Sequence, residues 1–303
     1  MTERLSDVVA RIGSVRQLSS VIGAMRGIAA ARAREARECA EGVRAYARTV
    51  GAAIGQALAF VEGGAGAPRD GRDGHLVIAL CAEQGFAGPF SRRVLDVAER
   101  LLKSAESHPA ELLLLGGRGL TVAEERGLEI GWSASMIAHV DEATALADRV
   151  TEQLYGRLEH GRVTRVSLAH ATPALSGEIH VVERTLAPFD FARFPRARNP
   201  SPPLISLPPG ALLAELAQEY VFAELTEALT LSLAAENEAR MRAMTEAKSN
   251  VSKMLDELIA RSRQLRQEEI TNEIIELGGR RARARASRRS SDSAGNSLHV
   301  GQH

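Results

Sequence analysis

Cysteine is nearly missing from these 303 residues: Cys39 and Cys81 stand far apart, with no partners at metal-ligand spacing. That excludes a disulfide scaffold and a zinc site. Neither cysteine has a histidine in a nucleophile setting, and Cys81, at the end of an apolar run, reads as a small buried hydrophobe. Long hydrophobic runs are lacking too. No window approaches the roughly 18 apolar residues of a membrane span, and the opening MTERLSDVVARIG has no signal-peptide core, so a soluble chain is expected. Net charge is absent overall, with 38 basic and 38 acidic residues. The balance is uneven locally, because Arg outnumbers Lys by 35 to 3 and six arginines fall between Arg280 and Arg289. Aromatics make up only 4%. A conventional compact core of this size would use more, so much of the chain is expected to be long helix, for which Ala, Leu, Arg and Glu suffice.

From Leu5 the apolar positions Leu5, Val8, Ile12, Val15, Leu18, Ile22, Met25 and Ala29 step by three and four, which marks one stripe on a helix. No proline intervenes before Pro68. A helix continuing to Phe60 would be about 80 to 90 Å long. Its stripe passes into Ala29, Ala30, Ala31 and Ala33, which suits the close approach of a second helix. After a glycine-rich connection, His75–Cys81 (HLVIALC) has the length of a buried strand, Val94–Ala105 has helical spacing, and Glu111–Leu115 followed by Gly116 and Gly117 is a second strand closed by a turn. A helix over 143–158 and strands over 162–170 and 178–186 complete a small α/β domain whose sheet has a parallel core.

Prolines at 195, 200, 202, 203, 208 and 209 mark the exit from that domain. Between Gly210 and Leu277 there is neither proline nor further glycine, and apolar residues recur at helical spacing for close to 100 Å of helix. Gly278 and Gly279 are the expected stop. The division that follows is a helix over 1–60, a linker over 61–74, an α/β domain over 75–205, a second helix over 206–278 and a disordered basic tail over 279–303. The two terminal helices are the only partners of suitable length for each other, so they are expected to pair as an antiparallel coiled coil.

Enzyme chemistry finds little support. There is no GxxxxGK[ST] loop to cradle a phosphate. The glycines of Gly85-Phe-Ala-Gly88 and Gly116-Gly-Arg-Gly119 follow strands, yet neither has the GxGxxG spacing with an acid further on, and plain turns explain them better. His75, His108, His139, His160, His170 and His180 are scattered with no HxxxH or HExxH pair, so they read as surface or strand-end residues rather than metal ligands. The arginine tail carries no aromatic to stack on bases and reads as a solvated extension, with non-specific electrostatic contact as the alternative. No cofactor, metal or nucleic acid is therefore expected.

At the chain ends the residues become specific. Ile12-Gly-Ser-Val15 with Ala24-Met-Arg-Gly-Ile-Ala-Ala-Ala-Arg-Ala-Arg34 resembles the amino-terminal signature of the gamma subunit of F-type ATP synthases, I-x-S-V followed by A-M-x-M-V-A-A-x-K. Ala235-Glu-Asn-Glu-Ala-Arg-Met-Arg-Ala-Met244 resembles that family's S-E-x-x-A-R-M-x-A-M, and Arg266-Gln267, Ile270-Thr271 and Glu273-Ile274 resemble its R-Q-x-x-I-T-x-E-I close. The loop Glu83-Gln-Gly-Phe-Ala-Gly-Pro-Phe90 is similar to D-R-G-L-C-G-x-Y, with its acid and base shifted or lost. Arg26 replaces an acid and Arg32 a lysine, and the basic extension past Gly279 is a further departure. The resemblance covers residues 1 to about 278 and is that of a divergent member, with a variant, N-type ATPase left open beside a housekeeping one.

The resemblance implies a fold of the α/β class, in which a long antiparallel coiled coil of terminal helices carries an inserted Rossmann-like α/β domain. It implies a non-catalytic rotor shaft inside a ring of three alpha and three beta subunits, seated through epsilon on the membrane c-ring. Such a chain would lie peripherally on the cytoplasmic face of a bacterial cell membrane and couple ion flow to ATP synthesis or hydrolysis. By the same similarity Arg266, Gln267 and Thr271 match positions that touch a loop of the beta subunit, with Met25 on the opposing helix near the same level. The alternatives are a coiled-coil adaptor with an α/β head, which would need only the heptad pattern, and an α/β enzyme whose helices only dimerise, which would need a convergent catalytic set.

Overall fold

The computed structural model describes residues 4–61, 74–104, 108–161, 163–173, 178–197 and 204–295, with side chains up to Arg281. The expected linker lies outside the described residues apart from Val61 and Gly74, as do the prolines at 200, 202 and 203. The elements are α1 (Leu5–Ala57), β1 (His75–Leu80), α2 (Phe90–Lys103), β2 (Ala110–Leu115), α3 (Gly117–Glu125), β3 (Trp132–Ala134), α4 (Ala143–Glu159), β4 (Arg165–Thr172), β5 (His180–Ala187) and α5 (Pro209–Gly295). Two compact units result, residues 24–245 and residues 1–23 with 246–303.

In the unit 24–245 the five strands lie in the order β3-β2-β1-β4-β5. The first four are mutually parallel, and β5 runs antiparallel to β4. Runs such as Leu76–Leu80 and Leu112–Leu115 are buried throughout, as a sheet covered on both faces requires. Strand alternation sorts them. Leu76, Ile78, Leu80, Leu113, Leu115, Val166 and Leu168 meet α4 and the Val221–Ala234 stretch of α5, whereas Val77, Ala79, Cys81, Leu112 and Leu114 meet α2 and Ala123 of α3. Each fully buried leucine or isoleucine contributes about 2 kcal/mol on this count.

Along α1 in the same unit, Ala29, Ala33, Ala36, Ala40, Ala47, Val50, Ile54 and Ala57 are buried. Their steps are those of a heptad, and the alanines allow a close partner. That partner is α5, running antiparallel: Arg37 pairs with Glu238, Arg44 with Glu227, and Tyr46 with Glu219. The unit 1–23 with 246–303 holds its own short stretch of the same pairing. Val8, Ile12 and Leu265 form its core with Leu5, Leu255, Leu258 and Ile259, and a Cβ added at Gly23 would lie 3.7 Å from Lys248 Nζ. The architecture is therefore the expected one, a mixed sheet inserted in the sequence between long terminal helices.

Three details differ from expectation. Leu18 is exposed and Ser19 takes the half-buried position, because Ser19 stands seven residues after buried Ile12 and fourteen before buried Ala33. β3 and α3 were not anticipated. Gly278 and Gly279 do not end α5, which continues to Gly295 through the stretch expected to be disordered. Each glycine costs about 1 kcal/mol against alanine in a helix, and the Arg- and Ala-rich residues that follow are good helix formers. Residues 296–303 lie outside the described residues. No helix among the described residues is long and apolar enough to cross a membrane.

Candidate functional site

Arg266, Gln267 and Thr271 lie together on the exposed surface of α5. Thr271 Oγ1 donates to the Gln267 carbonyl at 2.8 Å, which returns the hydroxyl to its own helix and leaves the Gln267 amide outward. Among exposed acidic residues around them, Ile270, Ile274, Ile275 and Leu277 are 50 to 65% exposed. Arg266, Ile270, Ile274 and Leu277 follow i, i+4, i+8, i+11 and so form one stripe. Leu265, next to Arg266, clusters with Val8 and Ile12 of α1. Met25 itself is half-buried on α1.

A second constellation, missed at the level of sequence, joins two of the motifs quoted above. Arg240 is buried on α5, and its guanidinium donates to the carbonyls of Gly85 at 3.1 Å and Gln84 at 3.3 Å, to Asn237 Oδ1 at 2.9 Å, and to the Glu236 carboxylate. Glu236 in turn accepts the backbone N–H of Glu83 at 3.4 Å. Burial pushes the Glu236 carboxyl up from its ordinary value, against the opposing pull of Arg240. The acid of the loop is not lost: the Glu83 carboxylate accepts the N–H of Gly117 at 2.9 Å and of Met136 at 2.8 Å. At the position of the loop's base stands Gln84, whose carbonyl accepts from Arg240 of α5. The sequence signal was the Glu236/Arg240 pair four residues apart inside one motif, which an exposed helical ion pair would equally explain.

This arrangement settles what the glycines do. Gly116 has φ +107°, and a Cβ there would come within 2.5 Å of the Cys81 carbonyl oxygen; one at Gly119 would come within 2.3 Å of Cys81 Cβ. Both are required for α3 to start against the end of β1. The N-terminus of α3, where an open α/β sheet could take a ligand anion, has the chain's own Glu83 carboxylate on its first N–H. A groove of about 340 Å³ beside the loop is lined by Phe86, Phe90, Arg92, Arg118 and Thr121 among others.

Further along α5 the buried or nearly buried glutamates all have cationic partners. Glu224 takes Arg193 at 2.9 Å, Glu227 takes Arg44 at 2.8 Å and Arg184 at 3.1 Å, and Glu238 takes Arg37. The arginines come from α1, β5 and the turn after β5, so α5 is tied on several sides. Two histidines are buried, His75 at a strand end as expected and His170 within a strand. His75 is buried and bonds Ser167 Oγ at 3.0 Å. His170 is fully buried in β4, and its pKa is lowered to about 4, chiefly by burial and then by Arg184. Cys81 is fully buried, and burial pushes its thiol up to about 12, which keeps it protonated. No His, Cys, Asp and Glu side chains among the described residues are grouped to hold a metal ion.

Known proteins resemble this chain over most of its length. A family model described as ATP synthase matches residues 4–282. The ATP synthase gamma chain of Fuscovulum blasticum is 29% identical over 289 residues, covering 90% of this chain and 96% of that one. That of Moorella thermoacetica is 28% identical over 278 residues, with 90% and 96% covered. Among solved structures, a chain of the Euglena gracilis mitochondrial ATP synthase (OSCP/F1/c-ring, rotational state 3) superposes with a TM-score of 0.65 at 12% identity over 94% of this chain and 95% of its own. A chain of the Tetrahymena thermophila mitochondrial ATP synthase central stalk/c-ring gives 0.54 at 19% identity over 75% and 99%.

Proposed function

The chain belongs to the ATP synthase gamma-chain family, and from that premise we propose that it is the central rotor shaft of an F1 sector. Its partners in this reading are three alpha and three beta subunits, an epsilon subunit and the membrane c-ring. It carries out no chemistry itself. It couples ion passage through the ring to ATP synthesis or hydrolysis at sites held by the beta subunits, from a peripheral position on the cytoplasmic face of the membrane.

One observation carries most of the weight: the Arg266, Gln267 and Thr271 surface is exposed and continues into a stripe of bare isoleucines. A solvated helix face gains nothing from Ile270, Ile274 and Leu277 in water, whereas a partner's apolar sleeve would cover them. Arg266 can supply a charge-assisted hydrogen bond and Gln267 an amide bond to a beta-subunit loop, each worth about 1 to 3 kcal/mol when formed. Met25 keeps its assignment as a partner contact.

The test is to purify the tagged chain from native membranes in mild detergent and look for alpha and beta chains in about threefold excess, with Mg-ATPase activity. Recovery of that complex, with activity or its coupling impaired by Arg266→Ala and Gln267→Ala together, supports the shaft and its contact. A chain recovered alone sinks the assignment and favours the adaptor.

A further inference from the structure

Resting on the rotor reading, we propose that Arg240 and Glu83 are positioning residues for the coupled reaction, forming the joint through which torsional load passes between the α/β sheet and α5. Apolar contact holds two surfaces together but has no preferred direction within the contact plane. The Val221–Ala234 stretch of α5 meets the sheet through such contact. Hydrogen bonds weaken steeply when turned off axis, so they resist twist where leucines only resist separation.

The joint is built for that duty at both ends. On the α5 side, one planar guanidinium reaches the carbonyls of Gln84 and Gly85, and it is held in its own plane by Asn237 and Glu236. On the sheet side, Glu83 offers its backbone N–H to Glu236 and its carboxylate to Gly117, directly after β2, and to Met136, after β3. One residue therefore links the helix to the ends of two strands. There is little slack behind it, because Gly116 and Gly119 are already in close contact with Cys81 and Ala82. The Arg240 and Glu236 side chains are only 7% and 4% exposed, so salt does not screen them; Arg37 and Arg44, which tie α5 to α1, are about half exposed.

The test uses the whole membrane complex carrying Arg240→Lys or Glu83→Gln. Lysine leaves a cation beside Glu236 but cannot span the loop carbonyls; glutamine keeps the size of Glu83 and can still accept both N–H groups on one oxygen, but without the negative charge that strengthens those bonds. Unloaded ATP hydrolysis should stay within about twofold of the parent, while ions pumped per ATP fall about fivefold. The deficit should grow as the opposing ion gradient is raised. An unchanged pumping-to-hydrolysis ratio in both variants overturns the joint, and so does a parallel loss of hydrolysis and pumping, which would mark a merely structural role. A parent chain that fails to assemble with alpha and beta chains strikes at the rotor reading itself. A parent that pumps, beside variants that pump equally well, removes the joint alone.

Discussion

Residues 219–240 and residues 266–277 are stretches of one helix in opposite surroundings. The first buries glutamates and an arginine, all of them paired; the second exposes isoleucines beside an unburied arginine. A buried charge is tolerated only when its partner is fixed, so the first stretch reads as a joint within the chain. An exposed apolar stripe is stable only at the expense of contact with water, so the second reads as a surface meant for another chain. The difference teaches that charge on a long helix is no guide to exposure. Arg240 and Arg266 are the same residue type in the same element, and their environments decide what each does.

The largest effect should come from breaking the buried side of that contrast. Arg240→Leu leaves the Glu236 carboxylate without its cation, and the chain should lose about 3 to 5 kcal/mol in denaturant unfolding. Glu236→Leu with Arg240→Leu should recover most of the loss, since no lone charge is then buried. If the double variant is no more stable than the single, the pair is not the source.

The pH dependence of the buried region should be next in size. His170 has its folded pKa near 4 against an ordinary 6.5, so the folded state binds fewer protons than the unfolded state between those values. Stability from this group is fully present above pH 6.5 and falls as the pH drops to about 4, by about 3 kcal/mol in all. Unfolding midpoints measured from pH 7 to pH 4 should show the decline, and His170→Asn should flatten it. Gly116→Ala should cost about 1 to 3 kcal/mol through its positive φ, with further cost from the Cys81 carbonyl. Smallest of all, Arg266→Ala should change the stability of the chain by less than about 0.5 kcal/mol while weakening its hold on partner chains. A large stability loss there would mean the exposed face is structural.

Much of this contrast could not be read before folding. The strands of the sheet core were legible because Leu76–Leu80 and Leu112–Leu115 are apolar without a break, and the terminal helices because their stripes persist over many turns. β3 was not, since three residues of Trp-Ser-Ala carry no period, and α3 was hidden by a Gly-Arg-Gly start that looks like a turn. Arg266, Gln267 and Thr271 were singled out by resemblance and remain proposed contacts, whereas Glu83 was passed over because its N–H partners, Gly117 and Met136, are 34 and 53 residues away. Nothing local in a sequence marks such a partner. Leu18 failed for a smaller reason: steps of three and four were satisfied by either Leu18 or Ser19, and only the strict seven-residue repeat distinguishes them.

The central claim is that this chain turns with respect to the ring that hydrolyses ATP. The direct measurement is to fix the alpha and beta subunits of the purified complex to a surface, tether a bead to the α/β domain of this chain, and follow it in Mg-ATP. The account predicts rotation in one direction, pausing at three orientations per turn. A bead that stays still, or only fluctuates, while ATP is being hydrolysed would contradict it.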